Sequence, residues 1–159
     1  MRLDHVGALL EKREQLRRVR ANLNYSHAKV ATWWAPGFAF CEISPEQRLH
    51  LSAFKADFSE LQDHLGAAMK LIALIEEENT QQFTYVLNYM EQLGVLPDMD
   101  AWMDVRRLRN QVAHDYSASD EEKQQHFQNL LSQVAYLSEI LATFEHFVEH
   151  HYLNRKKQS

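Results

Sequence analysis

The sequence predicts an all-α fold, an up-and-down antiparallel four-helix bundle with an additional short helix. Apolar residues recur at helical spacing along most of the chain. Only four glycines and three prolines occur in 159 residues, too few for a turn-rich β architecture. No segment reads convincingly as a strand. The length suits one domain, residues 1–159, large enough to bury a real core.

Asp4 is positioned to cap a first helix running to about Trp33, with Leu9, Leu16, Leu23 and Val30 every seven residues and Val19 reinforcing them. That narrow stripe suits one seam of helix packing. Ala35-Pro36-Gly37 breaks the helix, and Phe38, Phe40 and Ile43 are expected to tuck onto the bundle. Ser44-Pro45-Glu46-Gln47 is a strong start: Ser as cap, Pro at the first helical position and Gln three residues after the cap. The stripe Phe54, Phe58, Leu61, Leu65, Met69, Ile72 and Ile75 carries this helix to about Glu78.

Thr80 is the expected cap of a third helix through Phe83, Val86, Leu87 and Met90, stopped by Gly94 and Pro97. Asp98 or Asp100 opens a short fourth helix with Trp102, Val105, Leu108 and Val112 on its core face. Ser119-Asp120-Glu121-Glu122 reads as a capping box for one long last helix. Its stripe is Phe127, Leu130, Leu131, Val134, Leu137, Leu141, Phe144 and Val148, and a frayed basic tail is expected from Asn154 to Ser159. Helices of this length on short connections imply antiparallel neighbours.

The single Cys41 cannot form an internal disulfide, which fits a reducing, cytoplasmic setting. No apolar run approaches a membrane span, and the N-terminus lacks a signal-peptide hydrophobic region. A net charge of −5 argues against broad nucleic-acid affinity, so any RNA contact must be local. Basic residues cluster at Lys12, Arg13, Arg17, Arg18 and Arg20, at Arg106, Arg107 and Arg109, and at Arg155, Lys156 and Lys157. The first and last clusters read as a solvated helix face and a solvated tail. An acidic surface with local basic patches also suits a cognate protein partner.

The most informative stretch is Arg109-Asn110-Gln111-Val112-Ala113-His114-Asp115-Tyr116. It sets a permanent cation, a proton shuttle and a phenol within two helical turns. Arginine grips a phosphate with two parallel donors, and histidine gives and takes a proton near neutrality. RNA carries its own nucleophile, the ribose 2′-hydroxyl, so a cation and a proton shuttle can suffice to cleave it, and no metal or cofactor would be required. Asn110 is placed to bond a phosphate or hold His114. Asp115 reads as a solvent residue at the helix end, or as a carboxylate orienting a histidine or arginine. Tyr116 is expected to pack its ring and expose its hydroxyl.

At about 100° per residue, Arg106, Asn110 and Ala113 lie on the face away from the core stripe, flanked by Arg109 and His114 roughly 140° apart. One straight helix does not aim both at one phosphate. Either the helix ends before His114 and redirects it, or a second copy completes the site.

Arg-x-x-x-x-His-x-Tyr, with Asn directly after the Arg and Ala-His-Asp-Tyr at its end, resembles the signature of HEPN-domain proteins. The lead-in Gly94-Val95-Leu96-Pro97-Asp98-Met99-Asp100-Ala101-Trp102, followed by Arg106-Arg107-Leu108-Arg109, is similar to the toxin branch of that family. That branch is paired with a minimal nucleotidyltransferase in prokaryotic toxin–antitoxin operons. The resemblance is specific over about residues 94–116; elsewhere it is one of length and helical pattern.

The resemblance implies a metal-independent endoribonuclease toxin with Arg109 and His114 as catalytic residues, supported by Asn110, Asp115 and Arg106. It implies a homodimer with a composite cleft, an RNA substrate and a cognate nucleotidyltransferase antitoxin that adenylylates Tyr116. A runner-up of another class is a non-catalytic substrate-binding or regulatory partner of a nucleotidyltransferase, and a third is a purely structural helical module.

Other chemistries are weaker. His146 and His150 stand one turn apart near Glu145, Glu149 and His151, without a third patterned metal ligand. No Glu-x-x-His pair exists for a di-iron bundle, and glycines 7, 37, 66 and 94 are too dispersed for a phosphate loop. Serine hydrolase chemistry has no nucleophile elbow to sit on.

Overall fold

The structure, a computed structural model, describes residues 2–154, and side chains from residue 4. Its helices are α1 (Arg2–Ala31), α2 (Pro45–Ile75), α3 (Phe83–Leu93), α4 (Met99–Ala113), α5 (Asp120–Ser132) and α6 (Val134–Val148). A 3₁₀ turn (Phe40–Glu42) precedes α2, and one π-helical turn (Glu149–Leu153) follows α6. Among the described residues the fold is an all-helical bundle with no strand. None of its helices is long and apolar enough to cross a membrane.

The stripes read from the sequence form the core. Leu9, Leu16, Leu23 and Val30 of α1 are buried against Phe54, Phe58, Leu61, Leu65, Met69 and Ile72 of α2. Each such side chain contributes about 1.5–3 kcal/mol of transfer free energy. Contacts from Trp33 to His50, His27 to Phe54 and Lys12 to His64 show α1 and α2 running antiparallel. Helix α2 is the hub, packing on α1, α3, α4 and α6. Side-chain bonds tie the last two helices to the first part of the chain: Trp34 Nε1, just past α1, donates to Gln128 in α5, and Arg13 of α1 pairs with Glu145 in α6 at 2.7 Å. Phe40 stacks on Phe127, seating the 35–43 loop on α5.

Caps explain most boundaries. Ser44 and Gln47 form the reciprocal capping box that Pro45 follows. Asp98 accepts the Asp100 amide, and Ser119 accepts the Glu122 amide. Gly94 ends α3 with φ +80, a backbone that favours glycine.

Four boundaries differ from expectation. Helix α1 already runs from Arg2, so Asp4 lies in its first turn instead of capping it. Helix α2 stops at Ile75, because Glu77 adopts a left-handed φ of 58 and the Glu78 amide returns to the Ala73 carbonyl. Gln82, not Thr80, is the N-cap of α3, because Asn79 takes the Gln81 amide and keeps that segment a turn.

The long last helix breaks at Gln133. The Ser132 hydroxyl donates to the Asn129 carbonyl at 2.6 Å, the acceptor Gln133 would use in a continuous helix. The Gln133 amide moves to the Leu130 carbonyl instead, and the ladder resumes with Leu137 bonding Gln133. The expected tail falls mostly at residues 155–159, outside the described residues.

Candidate functional site

Helix α4 sets the geometry. Trp102, Val105 and Val112 are buried and Leu108 half-buried, which fixes the rotation of the helix about its axis. Arg106 and Asn110 consequently face solvent, while Arg109 and His114 fall on opposite flanks. The sequence geometry anticipated this divergence.

On the α2 flank, Arg109 is not the exposed side chain expected of a polar face. It is 14% exposed, and Nη1 donates to Asp63 Oδ1 at 2.6 Å and to the Ser59 carbonyl at 3.0 Å. Arg106, Lys70, Asp63 and Arg109 line a narrow groove of about 140 Å³ floored by Gly66, Phe83 and Trp102. Asp63 itself is 63% exposed, so water reaches the outer side of the ion pair.

On the α5 flank, α4 ends at His114, whose φ and ψ of −120 and 24 leave the helix. Its amide is shared between the Asn110 carbonyl at 3.1 Å and the Gln111 carbonyl at 3.3 Å. The chain then makes a tight turn closed by the Ala118 amide on the Asp115 carbonyl at 3.0 Å. This end does not carry His114 toward Arg109. The imidazole opens onto a different and larger groove, about 670 Å³, between α4 and α5. Arg107, Asn110, Gln111 and His114 form its α4 wall, and Glu122 and His126 its α5 wall.

The expected site residues therefore divide. Asn110 and Asp115 share the groove of His114, and Arg106 shares the groove of Arg109. Asp115 is not a solvent residue: its side chain is 15% exposed, with Oδ2 3.7 Å from His126 Nδ1. Tyr116 does not pack its ring; it projects from the turn at 86% exposure.

Among the groove residues outside the expected set are Arg107 and His126. Arg107 stands seven positions before His114, and two turns of helix bring such residues onto one stripe. Its guanidinium pairs with Asp104 at 2.5 Å but stays 71% exposed, open to an incoming anion. His126 comes from the next helix, and nothing local in the sequence connects it to the motif.

Elsewhere, the His146 and His150 rings lie 4.1 Å apart at the end of α6. Among the described residues no three or more His, Cys, Asp or Glu side chains are grouped to hold a metal ion. Of the basic residues on α1, Arg13 and Arg17 are paired with Glu145 and Glu14. No family model, curated protein or solved structure matches this chain.

Proposed function

We propose that the chain is a HEPN-like, metal-independent endoribonuclease acting as a homodimer, the toxin of a pair whose antitoxin is a minimal nucleotidyltransferase. One observation carries the reading: an exposed histidine at a helix end opens onto a broad groove that also holds a guanidinium and an amide. His114 moves a proton during attack of the 2′-hydroxyl on the adjacent phosphorus. The bond to the 5′-oxygen breaks, leaving a 2′,3′-cyclic phosphate and a 5′-hydroxyl. Asn110 and Arg107 offer donors to the phosphoryl oxygens, and charge stabilisation of that kind is often the largest catalytic contribution. Arg109 joins from a second copy, exchanging the solvent-accessible Asp63 carboxylate for a phosphate.

The test is incubation of the purified protein with RNA in EDTA. Fragments ending in cyclic phosphate are expected from the wild type and not from His114→Ala. Intact RNA after prolonged incubation with the wild type sinks the reading.

Regulation follows from the exposed Tyr116. Its hydroxyl attacks the α-phosphorus of ATP in the antitoxin's active site, pyrophosphate leaves, and the attached AMP sets an anion beside the groove. That charge repels RNA phosphate without unfolding anything. Co-expression with the nucleotidyltransferase should add the mass of AMP to the chain, and Tyr116→Phe should abolish the shift. A shift that survives in the Phe variant rules Tyr116 out as the acceptor.

The runner-up, a non-catalytic substrate-binding or regulatory subunit, draws support from the Arg109–Asp63 pair, which gives that arginine a structural task. Growth arrest on expression, lost in His114→Ala, separates the two: only the enzyme predicts it.

A further inference from the structure

The groove holds two buried polar atoms that the steps above do not use. Asp115 Oδ2 and His126 Nδ1 face each other at 3.7 Å, and among the described residues neither has a hydrogen-bond partner. The gap is too long for a hydrogen bond, and it attracts only when the imidazole carries a proton. Buried polar atoms are nearly always paired, so two uncommitted ones on the residues that wall this groove call for a role. Gln62 Oε1 and Tyr136 Oη are also unpaired, but neither belongs to this groove.

We propose that His126, oriented by Asp115, is the second proton-handling group of this groove. The assignment rests on the ribonuclease reading and extends it. Nδ1 is closed off against the carboxylate, so Nε2 is the ring nitrogen left to serve a bound group. When the ring carries a proton, the carboxylate attracts the Nδ1 side and so holds the imidazole with Nε2 toward the groove. Cleavage by internal attack moves two protons: one leaves the 2′-hydroxyl, and another reaches the departing 5′-oxygen. A single histidine cannot stand on both sides of an in-line displacement. Here His114 comes from the end of α4 and His126 from α5, with Arg107 and Asn110 beside them in the same chain. One imidazole takes the 2′ proton, the other, already protonated, gives its proton to the 5′-oxygen, and solvent restores both. Asp115 is a positioning residue.

The experiment measures single-turnover cleavage of two RNA substrates in EDTA by the wild type, His114→Asn, His126→Asn and Asp115→Asn. One substrate is ordinary; the other carries sulfur in place of the bridging 5′-oxygen, a leaving group that departs without an acid. On ordinary RNA each histidine variant should lose about 10²–10⁴-fold, and Asp115→Asn should lose less. The sulfur substrate should restore only one of the two histidine variants, the one lacking the acid, and Asp115→Asn should follow the His126 pattern. Circular dichroism checks folding, and His126→Gln provides a second replacement.

Wild-type cleavage with an unimpaired His126→Asn, or any rescue pattern other than restoration of one histidine variant alone, overturns the assignment and leaves the ribonuclease reading intact. A wild type inactive on both substrates overturns the reading itself and the assignment with it.

Discussion

The two flanks of α4 carry similar residues in opposite states. On the α2 flank, a guanidinium and a carboxylate have found each other, and the cation also holds the Ser59 carbonyl. On the α5 flank, His114 stands exposed, Asp115 and His126 face each other without bonding, and Arg107 keeps most of its surface in water. A largely covered charge that bonds its neighbours has a structural task, whereas exposed or unpartnered polar groups beside a groove are candidates for binding. The motif thus spans an arginine bonded into the fold and an exposed histidine. Under the proposed function its arginine would reach a phosphate only by giving up Asp63.

The largest test of this contrast is catalytic. His114→Ala should lower RNA cleavage about 10²–10⁴-fold and leave the melting temperature nearly unchanged. A large loss of stability in that variant would erase the distinction between the flanks.

Next comes stability on the opposite flank. Arg109→Ala removes a charged hydrogen bond to the solvent-screened Asp63 and a second bond to the Ser59 carbonyl, a loss of about 1–2 kcal/mol, or roughly 2–8 °C for a chain of this size. Denaturant titration decides it. A loss below about 0.5 kcal/mol would show that the Asp63 pair is merely a surface contact.

Acid sensitivity sharpens the comparison from outside the grooves. Burial beside Phe54 in the α1–α2 seam lowers the His27 pKa below its ordinary 6.5. The unfolded chain therefore takes up this proton before the folded chain does. The stability involved is fully present above about pH 6.5 and is lost as pH falls through 6.5 toward the lower folded value. His27→Phe should flatten the fall in melting temperature between neutral and mildly acidic solution. An unaltered slope would move the acid sensitivity to other groups.

The smallest effect belongs to Tyr116. At 86% exposure it loses almost no packing in Tyr116→Phe, so stability should change by less than about 0.5 kcal/mol. A larger change would mean that the turn, and not only its hydroxyl, shapes the groove.

Much of the fold was legible because its signals are local. The stripes of α1 and α2, the Ser44 box, the Asp98 and Ser119 caps and the Gly94 stop each depend on residues a few positions apart. The angular split between Arg109 and His114 followed from helix geometry alone. What stayed hidden depends on distance along the chain. Asp63 lies 46 residues from Arg109 in sequence, and His126 belongs to another helix than the motif. Both were brought in by packing, which spacing does not encode. The break at Gln133 is invisible in the spacing for a different reason: Val134 and Leu137 keep the apolar stripe going straight through it, while the Ser132 hydroxyl takes the Asn129 carbonyl from the ladder.

That diversion at Ser132 has a mechanical meaning. Helix α5 is held by α4 and the 3₁₀ turn, whereas α6 is held by α2, by Arg13 of α1 and, through Tyr152, by Glu76. The two halves of the last helix answer to different neighbours and meet at one residue whose backbone bond has already slipped. A load that pries α4 and α5 apart should therefore bend the chain at Gln133 first. The wall bearing His126 keeps its own neighbours, though Phe127 and Leu130 still root it in the shared core. Amide exchange should register this as faster opening through α5 than through α6, and Ser132→Ala, which returns the Asn129 carbonyl to the ladder, should stiffen the joint.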